Sequence, residues 1–260
     1  MKRFKGWVLV GILGFLAACS TTPITGRRQL SLVSAGQEAQ LGLTEFEKMK
    51  KETPISRDPA ANALLQKVGK RVAAAAAKDL PGAQWEFVVF DSKEANAFCL
   101  PGGKIGVYTG ILPITRDENG LATVLGHEVA HATAHHGGER MSQQMAAQGF
   151  GQMAGVAITD PRWSQLFQSV YPIGAQVGVL LPFGRKQESE ADRIGLHYMA
   201  RAGYDPAGAV AFWERFSAAM GGKSSTPAFL RTHPVDSVRI ADLKKYLFEA
   251  KQEYQAAPKQ

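Results

Sequence analysis

The chain is poor in cysteine, in long apolar runs and in clustered charge, and each shortage narrows what it can be. Its longest uninterrupted apolar run, Gly6–Ala18, is thirteen residues, against about twenty needed to span a bilayer, which excludes a polytopic membrane protein. Basic residues outnumber acidic ones by 30 to 23, a net charge of +7. Lys2, Arg3 and Lys5 precede the apolar run, so the remainder carries only +4. No basic stripe with interleaved aromatics occurs, and nucleic acid is not an expected partner. With 45% hydrophobic and 20% charged residues, the composition is globular, which excludes wholesale disorder and a fibrous architecture. The 260 residues suit one large domain or two small ones.

Residues 1–18 read as a targeting segment, a positive start followed by a short apolar stretch, and are set aside from fold reasoning. Leu16-Ala17-Ala18-Cys19-Ser20 then resembles a bacterial lipobox, in which the cysteine is acylated. Several acyl chains suffice for stable anchoring without spanning. The expectation is a protein held on a membrane through Cys19, with residues 19–34 as a polar tether. Ser20 after the cysteine resembles lipoproteins sent to the bacterial outer membrane, which gives an expected location on that membrane's periplasmic face. An acylated Cys19 leaves Cys99 as the single thiol, best read as a small buried hydrophobe.

Helical spacing predicts helices over Gln37–Lys51 and Pro59–Lys78, the second stopped by Leu80-Pro81-Gly82. Trp85–Phe90 reads as a strand, and Ala95–Leu100 with Lys104–Thr109 flank Pro101-Gly102-Gly103 as a hairpin. A helix opened by Asp117-Glu118-Asn119 is expected to run to about Gly137-Gly138. Further helices are expected at Lys186–Ala202, Pro206–Met220 and Asp236–Lys251. The apolar stretch Phe150–Pro182 reads first as completing the core, while its Gly and Pro content also suggests a lid that could move over the cleft. The fold class is α+β, mostly helical with a small antiparallel sheet: one domain over residues 35–251 and a tail at 252–260.

The chemistry is concentrated in Gly126-His127-Glu128-Val129-Ala130-His131. Histidines at i and i+4 lie one turn apart on one helix face, so both imidazoles can reach one metal ion. Glu128 sits beside the first, placed to act as general base without being a ligand. This is the H-E-x-x-H arrangement of zinc metalloproteases, and it implies one Zn2+ per chain. A catalytic zinc needs a third protein ligand. His135 lies a turn too far along a straight helix. Gly137 occupies the position at which a metzincin would place its third histidine. Glu188 and Asp192 remain, at i and i+4 on a later helix: Glu188 can bind zinc while Asp192 accepts a hydrogen bond from a ligand histidine. Glu190 faces elsewhere and reads as solvated. His135, His136 and His197 are structural or solvated by default.

Gly126–His131, Glu188–Gly195 and Thr232-His233-Pro234 together resemble the zinc metallopeptidase family that includes HtpX, the CAAX prenyl endopeptidases and the lipoproteins LoiP and BepA. The resemblance runs from about Gln37 to Tyr246, including Asn96-Ala97-Phe98, with LoiP the nearer in plan. It implies a gluzincin-type zincin fold with zinc held by His127, His131 and Glu188, and it places His233 near the metal or the transition state. Pro234 favours an extended conformation for His233.

The expected function is a membrane-anchored zinc endopeptidase cleaving misfolded or unassembled bacterial envelope proteins. Glu128 is the proton acceptor and His233 a stabiliser of the oxyanion. Asn96, Ala97 and Phe98 form a strand that could pair with an extended substrate. Two other readings compete: a chaperone for outer-membrane proteins with a structural metal site, and a zinc-dependent cell-wall hydrolase. An intact Glu128 argues against the first, since a structural site needs no base.

Overall fold

The structure, a computed structural model, describes residues 19–157, 165, 181–220, 228–234 and 237–258. The expected targeting segment lies outside the described residues, and so does the expected lid, Phe150–Pro182, apart from residues 150–157, 165 and 181–182.

Strands β1 (Cys19–Thr21) and β2 (Arg28–Leu30) form an antiparallel pair with Cys19 opposite Leu30. Residues 19–34, read from sequence as a tether, are therefore folded at this hairpin. Helix α1 (Ala35–Glu52) starts from a Ser34 capping box completed by Gln37. Helix α2 (Pro59–Ala76) starts where Asp58 accepts the N–H groups of Ala60 and Ala61 beside Pro59. Strands β3 (Glu86–Phe90), β4 (Ala97–Leu100) and β5 (Lys104–Tyr108) form one sheet in the order β3-β5-β4. The β4–β5 hairpin is antiparallel as expected; β3 joins β5 in parallel, with Glu86 opposite Lys104, so the sheet is mixed. Gly102 and Gly103, at φ of 86° and 85°, make the hairpin turn in a backbone region that side chains resist. β4 is left as an edge strand.

After a short helix, α3 (Leu112–Thr115), comes α4 (Glu118–Thr133), capped by Asp117, which accepts the N–H of Gly120. Every residue of α4 from Gly120 to Thr133 is buried. It is the axis of the molecule, packed by α2, β4 and α6 (Leu181–Arg201). Leu121, Val124, Leu125 and Val129 meet Leu65, Val68 and Val72 of α2 and Ile194, Tyr198 and Met199 of α6 in one core. Each such side chain fully buried contributes about 1.5–3 kcal/mol. Helices α7 (Ala207–Met220), α8 (Ala228–Thr232) and α9 (Ser237–Ala256) complete it through Phe212, Trp213, Phe216, Phe229 and Leu243. Among the described residues, no helix is long and apolar enough to cross a membrane.

The end of α4 differs from the sequence reading. It stops at Thr133, and His135 takes a left-handed φ of 52°. Helix α5 (His136–Ala157) then begins, with Gly137 and Gly138 inside it. The break redirects the chain within two residues, and that turns His136 back toward α4.

Candidate active site

Helix α4 carries His127, Glu128 and His131, and α6 carries Glu188 and Asp192. Because Gly126 and Gly195 face each other without side chains, the two helix backbones approach closely; an added Cβ at Gly126 would lie 2.8 Å from the Gly195 carbonyl. Glu188 consequently reaches the histidines. His127 Nε2 and His131 Nε2 are 3.2 Å apart, and each lies 3.3 Å from a Glu188 oxygen. His233, on the turn after α8, adds Nδ1 at 3.1 Å from both His127 Nε2 and Glu188 Oε2. It is fixed there by its own N–H donating to the Phe229 carbonyl and by the Phe229 ring, 4.7 Å away between centroids. Phe229 N–H in turn donates to Ala95, just before β4.

Those four donors all lie within 4.8 Å of one another. Ligands 2.0–2.1 Å from a tetrahedral zinc stand about 3.3 Å apart, so the observed spacings of 3.1 to 3.3 Å fit zinc. The charge distribution fits as well. Burial opposes a proton on His127, but its hydrogen bonds to Asp192 and Glu188 outweigh that and hold its pKa up at about 9. A ring so disposed to bind a proton is equally disposed to bind a divalent cation. Burial drives His131 the other way, to the neutral form a metal ligand needs. Glu188 stays ionised against its burial, held well below the usual carboxylate range by His131, His127 and His233.

Glu128 is buried and points one oxygen, Oε1, into the same space without a hydrogen-bond partner among the described residues. Burial raises its pKa, which makes it a better base than a surface carboxylate. His233 Nε2 stands 3.4 Å from that oxygen.

Asp192 accepts His127 Nδ1 at 3.0 Å, the expected orienting contact. The sequence reading missed what holds Asp192. Arg239 of α9, itself buried, donates Nε and Nη2 to the two Asp192 oxygens, both at 2.7 Å. It also donates Nη1 to the Pro234 carbonyl at 2.6 Å, tying the His233 turn to the same brace. No local pattern around Arg239 carries that information. Glu190, read as solvated, is buried instead, and His136, read as structural or solvated, is buried beside it, with Nε2 3.1 Å from Glu190 Oε2. Burial disfavours the Glu190 carboxylate, yet His136, Thr25, Arg27 and Thr22 hold its pKa at about 2. Cys99 is buried, as expected, and its thiol is pushed up by burial out of the reactive range. Ala97 and Phe98 lie in the edge strand β4, and Asn96 just before it, alongside α4.

A buried helix bearing H-E-x-x-H, faced by a carboxylate from α6, defines a zincin-like zinc metalloprotease. The chain belongs to peptidase family M48, whose family model matches residues 59–247. It is 33% identical over 257 residues to the mitochondrial metalloendopeptidase OMA1 of Schizosaccharomyces pombe, covering 96% of this chain and 74% of that one. The protein of the same name in Saccharomyces cerevisiae is 30% identical over 249 residues, 90% of this chain and 70% of its own. The beta-barrel assembly-enhancing protease of Escherichia coli is 27% identical over 235 residues, 88% of this chain and 48% of its own. The cofactor of the present chain is zinc.

These comparisons correct one expectation. The outer-membrane, periplasmic-face location read from Ser20 is overturned, because relatives matched along nine-tenths or more of the chain are named as mitochondrial enzymes.

Proposed function

We propose that the protein is an endopeptidase of LoiP-like plan that cleaves misfolded or unassembled envelope proteins, with His127, His131 and Glu188 as its zinc ligands. The observation that carries this reading is the unpartnered Glu128 oxygen, buried beside four metal-binding donors. Zinc, when bound, supplies Lewis acidity toward a peptide carbonyl and toward water. Glu128 Oε1 takes the proton of the attacking water and returns it to the leaving amine. His233 Nε2, on the same side as Glu128 Oε1, donates to the carbonyl oxygen as charge develops there. Asp192 keeps the His127 proton on Nδ1, which leaves Nε2 for the metal.

Substrate choice follows from the sheet edge. Asn96, Ala97 and Phe98 border the site, and an extended backbone adding to β4 would present its peptide bond toward α4. Main-chain pairing favours unfolded segments and imposes little sequence preference. The Escherichia coli relative, a protease named for enhancing beta-barrel assembly, supports a role linked to protein assembly. An acyl anchor on Cys19 belongs to the same proposal and rests on the lipobox. Cleavage of casein by zinc-loaded wild type and by Glu128→Gln, beside purified cell-wall sacculi, tests the reading; activity on sacculi alone would replace it.

A further inference from the structure

Glu190 accepts four hydrogen bonds, all from buried or half-buried groups. Thr22 and Thr25 hydroxyls donate to Oε1, the first at 2.8 Å. Arg27 Nε at 2.6 Å and His136 Nε2 at 3.1 Å meet Oε2. A carboxylate has about four acceptor sites and no proton to give, so this one is saturated and immobile. Arg27 has a second anchor, a two-pronged grip on Glu139 at 2.7 and 2.8 Å, and Glu139 also accepts from Gln187 at 2.7 Å.

The proton positions follow outward from that carboxylate. Because Glu190 only accepts, His136 Nε2 carries a proton. His136 is fully buried, where a doubly protonated ring is disfavoured, so its Nδ1 is an acceptor. Its Nδ1 lies 2.8 Å from His131 Nδ1, which must therefore be the donor. A proton on His131 Nδ1 leaves the lone pair on Nε2, the atom that faces His127 and Glu188. The chain of contacts allows one tautomer of His131, and it is the one a metal ligand requires.

We propose that His136 and Glu190 are positioning residues that set the tautomer and aim of His131, with Arg27 of the β1–β2 hairpin as their brace. The inference rests on the zinc-protease reading and deepens it. The arrangement parallels the other ligand: His127 is oriented by Asp192, which Arg239 grips, and His131 is oriented through the intervening His136 imidazole by Glu190, which Arg27 grips. Arg27 lies outside residues 59–247, the range matched by the family model. The hairpin before α1 is thus part of the support of the metal site.

The test is zinc affinity by competition with a chelator, together with the visible spectrum of the cobalt-substituted protein, for His136→Phe and His136→Asn. Loss of such an orienting contact typically weakens metal binding by about 10–100-fold. His136→Phe should show that loss and a shifted cobalt spectrum. In His136→Asn the side-chain oxygen takes the place of Nδ1, so affinity should recover to within about threefold of wild type. A residue that merely fills the core would lower the melting temperature and leave the affinity of the folded protein alone. Wild-type affinity and spectrum in a folded His136→Phe would overturn the proposal. Should that variant fail to fold, His136→Leu, which likewise offers His131 Nδ1 no acceptor, takes its place, and wild-type affinity and spectrum in it would overturn the proposal equally. Glu128→Gln run alongside keeps the two readings separate: retained proteolysis there would sink the protease mechanism without touching these metal-binding results.

Discussion

Gly126 and Gly195 are in backbone contact: a Cβ built on either would lie within 2.9 Å of the other helix's main chain. That contact sets how far Glu188 on α6 stands from His127 and His131 on α4. Gly195→Ala gains up to about 1 kcal/mol in helix propensity but forces two packed backbones apart, at a cost of roughly 1–3 kcal/mol. The variant should melt at lower temperature and bind zinc more weakly. Gly149→Ala, on α5 with nothing within 4 Å of the added methyl, should be neutral or stabilising. Equal melting of the two variants would remove the close approach from the account.

Arg239 is the buried grip on Asp192, and a fork is what that geometry uses. Arg239→Lys retains the charge but cannot make both 2.7 Å contacts at once. Breaking a buried pair costs about 3–5 kcal/mol, and Arg239→Met should lose that much stability with a zinc affinity about 10–100-fold weaker. Urea unfolding and chelator competition check both. A lysine variant equal to wild type in both would show that charge alone matters.

For His233, turnover of an unfolded substrate by His233→Ala discriminates two roles of one side chain. A rise reports a fourth donor that must leave the metal, and a fall reports lost stabilisation of the carbonyl oxygen. A rate within twofold of wild type removes His233 from the mechanism.

Cys19 lies in β1, and the residues that follow it are pinned to Glu190. An acyl chain there would hold the catalytic domain close to the bilayer rather than on a loose leash. Intact-mass measurement should find the mature chain heavier by its acyl groups, and Cys19→Ala should move to the soluble fraction. An unmodified Cys19 in the wild type would end the lipobox reading.

The metal helix was legible because its chemistry is local. His127 and His131 are one turn apart in a segment capped by Asp117, and Glu188 and Asp192 repeat that spacing. The β4–β5 hairpin was legible from Gly102-Gly103 between apolar stretches. What escaped depends on contacts distant in sequence. Arg239 is 47 residues from Asp192, and Arg27 is 163 from Glu190; no pattern joins them. The parallel pairing of β3 with β5 is of the same kind. His136 was hidden by the left-handed residue His135, since a straight helix would have carried it away from His131. The two-residue spacing of Glu190 from Glu188 argued for a solvated face. That inference failed because the β1–β2 hairpin covers the face.

The most direct test of the central claim is zinc content and casein turnover measured together on Glu128→Gln. The substitution removes the base and no ligand, so zinc should stay at one per chain with an unchanged melting temperature. Proteolysis should fall by about 10²–10⁴-fold, the contribution of a positioned general base. Turnover within tenfold of wild type at full zinc occupancy would contradict the account.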